Sequence, residues 1–175
     1  FLTSKCYSEI INKVNIVNND RITKETILVF SNIEIGKNYD SNGLNEIIKD
    51  LYKTNFFSNV SLDFSNGILT INVEENQIIQ NIVINGIKKK ELVEILKKQL
   101  LLKDKNPFVE NFVSNDIERI QKILKNSGYY FSKVSDQVIE NNNNTVDVIY
   151  NIDLGDKAYI KEIEFIGDKY YKNRL

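Results

Sequence analysis

The chain has 175 residues, with 23 Lys and Arg against 24 Asp and Glu, and a formal net charge of −1. That balance argues against nucleic acid as a partner, because such binding draws its affinity from cations set against phosphates. There is no His and only one Cys, Cys6, which removes imidazole acid–base chemistry, an internal disulfide and a Cys/His zinc site. Composition therefore favours a binding module over an enzyme, with no cofactor and no metal. The 42% hydrophobic and 27% charged content is that of a globular protein and not of a disordered tail. No apolar run approaches the roughly 20 residues that span a bilayer. Phe1–Ser8 lacks the layout of a signal peptide, and the chain reads as a processed or excised soluble piece.

In chain order, Ile10–Asn18 alternates as a half-buried strand does and ends on Asn18, a residue that tolerates positive φ. Thr23 can cap a helix carrying Ile27 and Leu28. Leu44, Ile47, Ile48 and Leu51 then fall at i, i+3, i+4 and i+7, with Glu46, Lys49, Asp50 and Lys53 left for water. Val60, Leu62 and Phe64 alternate with Asn59, Ser61 and Asp63. Asn66-Gly67 makes a tight hairpin turn, and Leu69, Ile71 and Val73 alternate on the return.

The same order then repeats. Ile78–Gly86 matches the first strand, with Ile82 and Ile84 equivalent to Val14 and Ile16. Leu92, Val93, Leu96 and Leu100 lie at helical spacing. A second helix carries Ile117, Ile120 and Leu124, with Asn115 and Glu118 as its expected capping pair and Gly128 as its C-terminal stop. Val134 and Val138 lie on one strand whose apolar alternation Asp136 interrupts, which leaves its register open. Asn141–Asn144 form a looser turn, and Val146, Val148, Tyr150 and Ile152 return. Tyr159–Gly167 matches the opening strand once more, with Ile163 and Phe165 in the equivalent places.

The expected architecture is α+β: tandem β-α-α-β-β units, each a three-stranded mixed sheet with two antiparallel helices on one face. The third strand of each unit slots between the other two, which leaves the second strand on an edge. The boundaries read as 9–76, 77–154, and 155–175 for a linker and the start of a third unit.

Several segments carry a family resemblance. Gly36–Tyr39, Leu51–Val60 and Val73–Ile82 resemble the first polypeptide-transport-associated (POTRA) domain of BamA-type outer-membrane protein assembly factors. Ser127–Val134 is similar to the helix-to-strand passage of a second such domain, and Gly155–Gly167 to the beginning of a third. The resemblance implies a periplasmic arm, on the periplasmic face of the Gram-negative outer membrane, ahead of a C-terminal β-barrel. The partners it implies are unfolded outer-membrane proteins, periplasmic chaperones and the accessory lipoproteins of the assembly machine.

An edge strand presents unpaired N–H and C=O groups with which an extended client can pair, largely whatever its sequence. The candidate binding residues are therefore Asn59, Val60, Ser61, Leu62 and Asp63 in the first unit. In the second they are Lys133, Val134, Ser135, Asp136 and Gln137. A proline at Ser61 or Ser135 is expected to block pairing there. Phe56, Phe57, Tyr129, Tyr130 and Phe131 read as core caps where a helix meets a strand, and Lys88–Lys90 as a solvated helix start. Glu74 and Glu75 point to opposite faces, so they form no catalytic pair. Two other readings stay open: the POTRA region of a two-partner secretion transporter, and a tandem α/β RNA-binding module. The latter wants a GXXG loop or aromatics on a basic sheet, and neither is present.

Overall fold

A computed structural model describes residues 9–159 and 161–164. The first unit opens with β1 (Glu9–Ile10) and β2 (Lys13–Val17). It continues through α1 (Lys24–Ser31), β3 (Asn38–Tyr39), α2 (Ser41–Lys53), β4 (Phe57–Ser65) and β5 (Ile68–Glu75). The second unit contains β6 (Ile78–Asn85), α3 (Lys90–Gln99), α4 (Glu110–Asn126), β7 (Lys133–Asn141) and β8 (Thr145–Asp153).

Each sheet has its third long strand in the middle: β2-β5-β4 in one unit and β6-β8-β7 in the other. The middle strand runs parallel to the first and antiparallel to the second. Alternation explains why only one face is apolar. Leu69, Ile71 and Val73 of β5 are buried while Ile68, Asn72 and Glu74 face water, and Val146, Val148, Tyr150 and Ile152 of β8 repeat the pattern. The helices close over those faces. Ile47 and Leu51 of α2 join Ile16, Ile27, Val60 and Ile71 in one core, and Ile120 and Leu124 of α4 join Ile79, Leu96, Val148 and Tyr150 in a second. Each unit thus has its own hydrophobic interior.

Local chemistry sets the element ends. Thr23 Oγ1 accepts the Thr26 N–H at 3.3 Å and Asp40 Oδ1 the Gly43 N–H at 2.8 Å, capping α1 and α2. At the end of α4, Gly128 takes a φ of +92°. Its N–H donates to the Lys125 carbonyl, and the Tyr129 N–H reaches back to Leu124, both at 2.9 Å. That pair of bonds is the Schellman arrangement, and it needs the left-handed conformation that glycine takes without a Cβ penalty.

Several expectations need correction. Asn115 and Glu118 do not cap a helix: α4 begins at Glu110, just after Pro107, so both lie in its exposed interior. Asp136 breaks the apolar alternation of Val134 and Val138, but the register left open there is regular: all nine residues of β7 pair with β8 without a shift. The five aromatics divide. Phe57 is buried in β4, Phe56 stacks on Phe30 with ring centroids 5.7 Å apart, and Tyr129 is half-buried. Tyr130 and Phe131, by contrast, are 60% and 73% exposed, because β7 starts only at Lys133 and leaves them in the connection. The opening strand of a third unit, expected over Tyr159–Gly167, lies partly outside the described residues, as does Cys6. The described part, Tyr159 and Lys161–Glu164, is in no ladder.

Candidate functional site

The two three-stranded sheets have four outer strands: β2 and β4 in the first unit, β6 and β7 in the second. Which backbone groups point outward follows from the hairpins. The pair that closes a tight hairpin is hydrogen-bonded, and bonded and non-bonded pairs alternate from there. Ser65 and Ile68 flank the turn at Asn66 (φ 53°) and Gly67 (φ 74°), so Ser65, Asp63 and Ser61 bond to β5. Val60, Leu62 and Phe64 then aim their N–H and C=O away from the sheet. On β7, the pair Asn141 and Thr145 closes the turn. Ile139, Gln137, Ser135 and Lys133 therefore bond to β8, while Val134, Asp136, Val138 and Glu140 point outward.

All ten candidate residues lie on these two strands. Val60 is buried and Leu62 half-buried under the helices, whereas Asn59, Ser61 and Asp63 sit on the open face. In the second unit Val134 is half-buried, and Lys133, Ser135, Asp136 and Gln137 are exposed. Asp136 lies on the helix-facing side, opposite Tyr150, with Val138 and Glu140 following it on the same side. Because the helices do not extend over it, this side of β7 is open past Val134. The register also corrects the proline positions: the Ser61 and Ser135 N–H groups face β5 and β8. Leu62 and Val138 are the places where proline removes only an outward group.

Three features were missed in the sequence. The first strands are edges too, and the loops between the helices bond to Ile11, two residues ahead of β2, and to Ile79 within β6. Ile11 N–H donates to the Lys37 carbonyl at 3.1 Å and its carbonyl accepts from Gly36 at 2.7 Å. Ile79 makes the matching pair with Asn106 (2.9 Å) and Lys105 (2.8 Å). Just beyond, Asp104 Oδ1 accepts the Ile82 N–H at 2.6 Å. On β4, the outward Val60 N–H donates to the Tyr52 hydroxyl at 3.1 Å. No motif announces any of these contacts; only the tertiary register brings them together.

Two buried carboxylates fix the surroundings. Asp116, fully buried on α4, accepts the Leu101 and Leu102 N–H groups and the Tyr150 hydroxyl, the last at 3.2 Å. Burial, then the Asp116 charge and hydrogen bond, push the Tyr150 phenol well above its ordinary pKa. At the end of β5, Glu75 Oε1 accepts the N–H groups of Asp20, Arg21 and Ile22 at 2.9–3.0 Å, and Oε2 lies 3.0 Å from Arg21 Nε. Burial alone would raise the Glu75 pKa, but those backbone donors and the guanidinium outweigh it and hold the carboxyl below its ordinary value. Among the described residues no group of three or more Cys, Asp or Glu converges to hold a metal ion, and no helix is long and apolar enough to cross a membrane.

Comparison with known proteins gives a consistent result. The POTRA family, described as surface antigen variable number repeat, matches residues 9–76 and again 77–155. The chain is 29% identical over 175 residues to outer membrane protein assembly factor BamA of Neorickettsia risticii, covering all of this chain and 24% of that protein. It is 27% identical over 157 residues to BamA of Neisseria meningitidis serogroup B, covering 88% of this chain and 20% of the relative. The chain thus spans a quarter or less of the length of these relatives. In fold it is similar to the N-terminal domain of Omp85 from Thermosynechococcus elongatus, with a TM-score of 0.56, 14% identity, and coverage of 83% of this chain and 63% of the other. It is also similar to POTRA1-2 of the periplasmic domain of Omp85 from Anabaena, with a TM-score of 0.51, 16% identity, and coverage of 85% and 97%. With the family match on both units and the doubled β-α-α-β-β fold, this chain belongs to the POTRA family and carries two tandem copies of its domain.

Proposed function

We propose that the chain is a non-catalytic, polypeptide-binding arm of a BamA-like outer-membrane protein assembly factor. It stands at the periplasmic face of the outer membrane, ahead of a membrane-embedded barrel. There it receives unfolded outer-membrane proteins by strand addition and docks chaperones and accessory lipoproteins of the assembly machine. The observation that carries this reading is the edge of β7: nine residues in unbroken register with β8, whose outward main-chain groups meet no partner among the described residues. Main-chain pairing suits a receptor for many clients, because every extended polypeptide offers the same donors and acceptors. The relatedness to BamA proteins supports the client class, since those relatives are named as assembly factors.

The test is binding of a urea-unfolded outer-membrane protein to the full-length parent protein carrying Val138→Pro. The substitution deletes one outward N–H and places a ring on the edge while leaving the β8 ladder intact. We expect binding to fall about tenfold, whereas Lys133→Ala and Gln137→Ala shift it less than about twofold, because main-chain groups carry the contact. Unchanged binding by a folded Val138→Pro protein would overturn strand addition at β7.

A further inference from the structure

The four edges differ in what already occupies them. A backbone group bonded to a side chain of its own domain has nothing left to offer an incoming strand. On β4, the Val60 N–H is taken by the Tyr52 hydroxyl at 3.1 Å, which also lies 3.5 Å from Asn59 Oδ1. Tyr52 reaches the edge from the last turn of α2, where its neighbour Leu51 is fully buried and anchors the helix. A bulge between Phe57 and Asn59 further breaks the upstream half of this strand. On β6, the loop between the helices takes both main-chain groups of Ile79, and Asp104 takes the Ile82 N–H at 2.6 Å. On β2 the run is short. Lys13 N–H turns inward to the Gly67 carbonyl, which leaves Val14 and Ile16 as the outward residues. On β7, four successive outward residues are open, and among the described residues no side chain hydrogen-bonds to its backbone.

We infer that Tyr52 and Asp104 are edge plugs that direct an incoming extended polypeptide to β7. The inference rests on the strand addition proposed above and adds where the strand goes and what sends it there. The helix-facing row beside the free edge also defines the occupant. Asp136 and Glu140 are exposed there on either side of Val138, and among the described residues neither is in an ion pair. A strand bearing Lys or Arg at alternate positions complements that row.

The experiment uses the 175-residue chain, ¹⁵N-labelled, and an acetylated decapeptide in which Val alternates with Lys and Thr. Before any peptide is added, Tyr52→Phe should speed exchange of the Val60 amide by roughly fivefold, the worth of one ordinary hydrogen bond. Asp104→Ala should do at least as much at Ile82. The buried amides of β5 and β8 should keep their protection in both variants, which shows that the units remain folded. With peptide, the wild-type chain should gain protection at Val134, Asp136, Val138 and Glu140 and none at Leu62 or Phe64. Tyr52→Phe should add Val60, Leu62 and Phe64 to the protected set. Unaltered Val60 exchange in Tyr52→Phe, or a β4 edge still silent towards peptide while β7 responds, would overturn the plug and leave strand addition standing. Peptide protection at β4 in the wild-type chain would overturn the plug as well. Protection at neither edge in any variant would instead overturn strand addition, and with it the purpose of the plugs.

Discussion

Replacing Asp116 by Ala tests how the second unit holds its edge in place. The carboxylate ties the loop after α3 to α4 and β8 by accepting from Leu101, Leu102 and Tyr150. Leu102 is 1% exposed and Tyr150 is fully buried, so Asp116→Ala strands at least two donors with no water to receive them. Hydrogen bonds to a charged acceptor contribute about 1.5–3 kcal/mol each, and an orphaned buried donor costs roughly 1–3 kcal/mol. A total near 3–5 kcal/mol follows, before any loss of packing. A unit of this size has a stability on the order of 4–12 kcal/mol, so the substitution removes a large share of it. Tyr150→Phe deletes one donor and leaves both backbone bonds in place, so it should cost about 1 kcal/mol. The assay is urea unfolding followed by amide signals of Val148 and Ile120 for the second unit and Ile71 and Leu51 for the first. The second unit should unfold at markedly lower urea in Asp116→Ala, with the first unit unmoved. A cost below about 1 kcal/mol, or one equal to that of Tyr150→Phe, would refute the bonding scheme.

Three further outcomes follow from the same geometry. The folded-state pKa of Glu75 lies below its unfolded value, so its contribution is present above the ordinary carboxyl range and is lost as pH falls through the depressed value. Urea midpoints of the first unit between about pH 6 and pH 3 should therefore fall less steeply in Glu75→Gln than in the wild type. Gly86→Ala should destabilise the second unit by roughly 2–4 kcal/mol in urea unfolding, because φ is +90° and a Cβ would lie 1.7 Å from the Ile152 carbonyl oxygen. Ser135→Pro should cost roughly 2–3 kcal/mol by removing a ladder bond, whereas Val138→Pro should cost less than about 1 kcal/mol; thermal melts followed by circular dichroism compare the two.

Much of the fold was legible because short-range chemistry and long-range packing agree. Asn66-Gly67 sits where the hairpin needs two positive φ values. Gly128 closes α4 as expected, and the period of two in β5 and β8 marks the buried face correctly. The start of α4 was misread because Val109 supplies no capping side chain, so the nearest Asn/Glu pair drew the boundary inward. Asp116 did leave a trace, since it falls four residues before Ile120 and eight before Leu124 on a stripe that is otherwise apolar. Its partners on the loop after α3 and on β8, up to 34 residues away, carried no such signal. The candidate edges followed from strand order alone, but their occupancy did not. Whether Val60 or Val138 has a free N–H depends on a hydroxyl and a register that meet only after the helices have packed.

The central claim is that main-chain groups of β7 receive extended polypeptide, and backbone N-methylation of the bound peptide tests it most directly. A strand on β7 directs every second N–H to the edge, so methylating one alternate set should abolish binding while methylating the other set leaves it nearly unchanged. Equal loss from both sets, or no loss from either, would contradict strand addition.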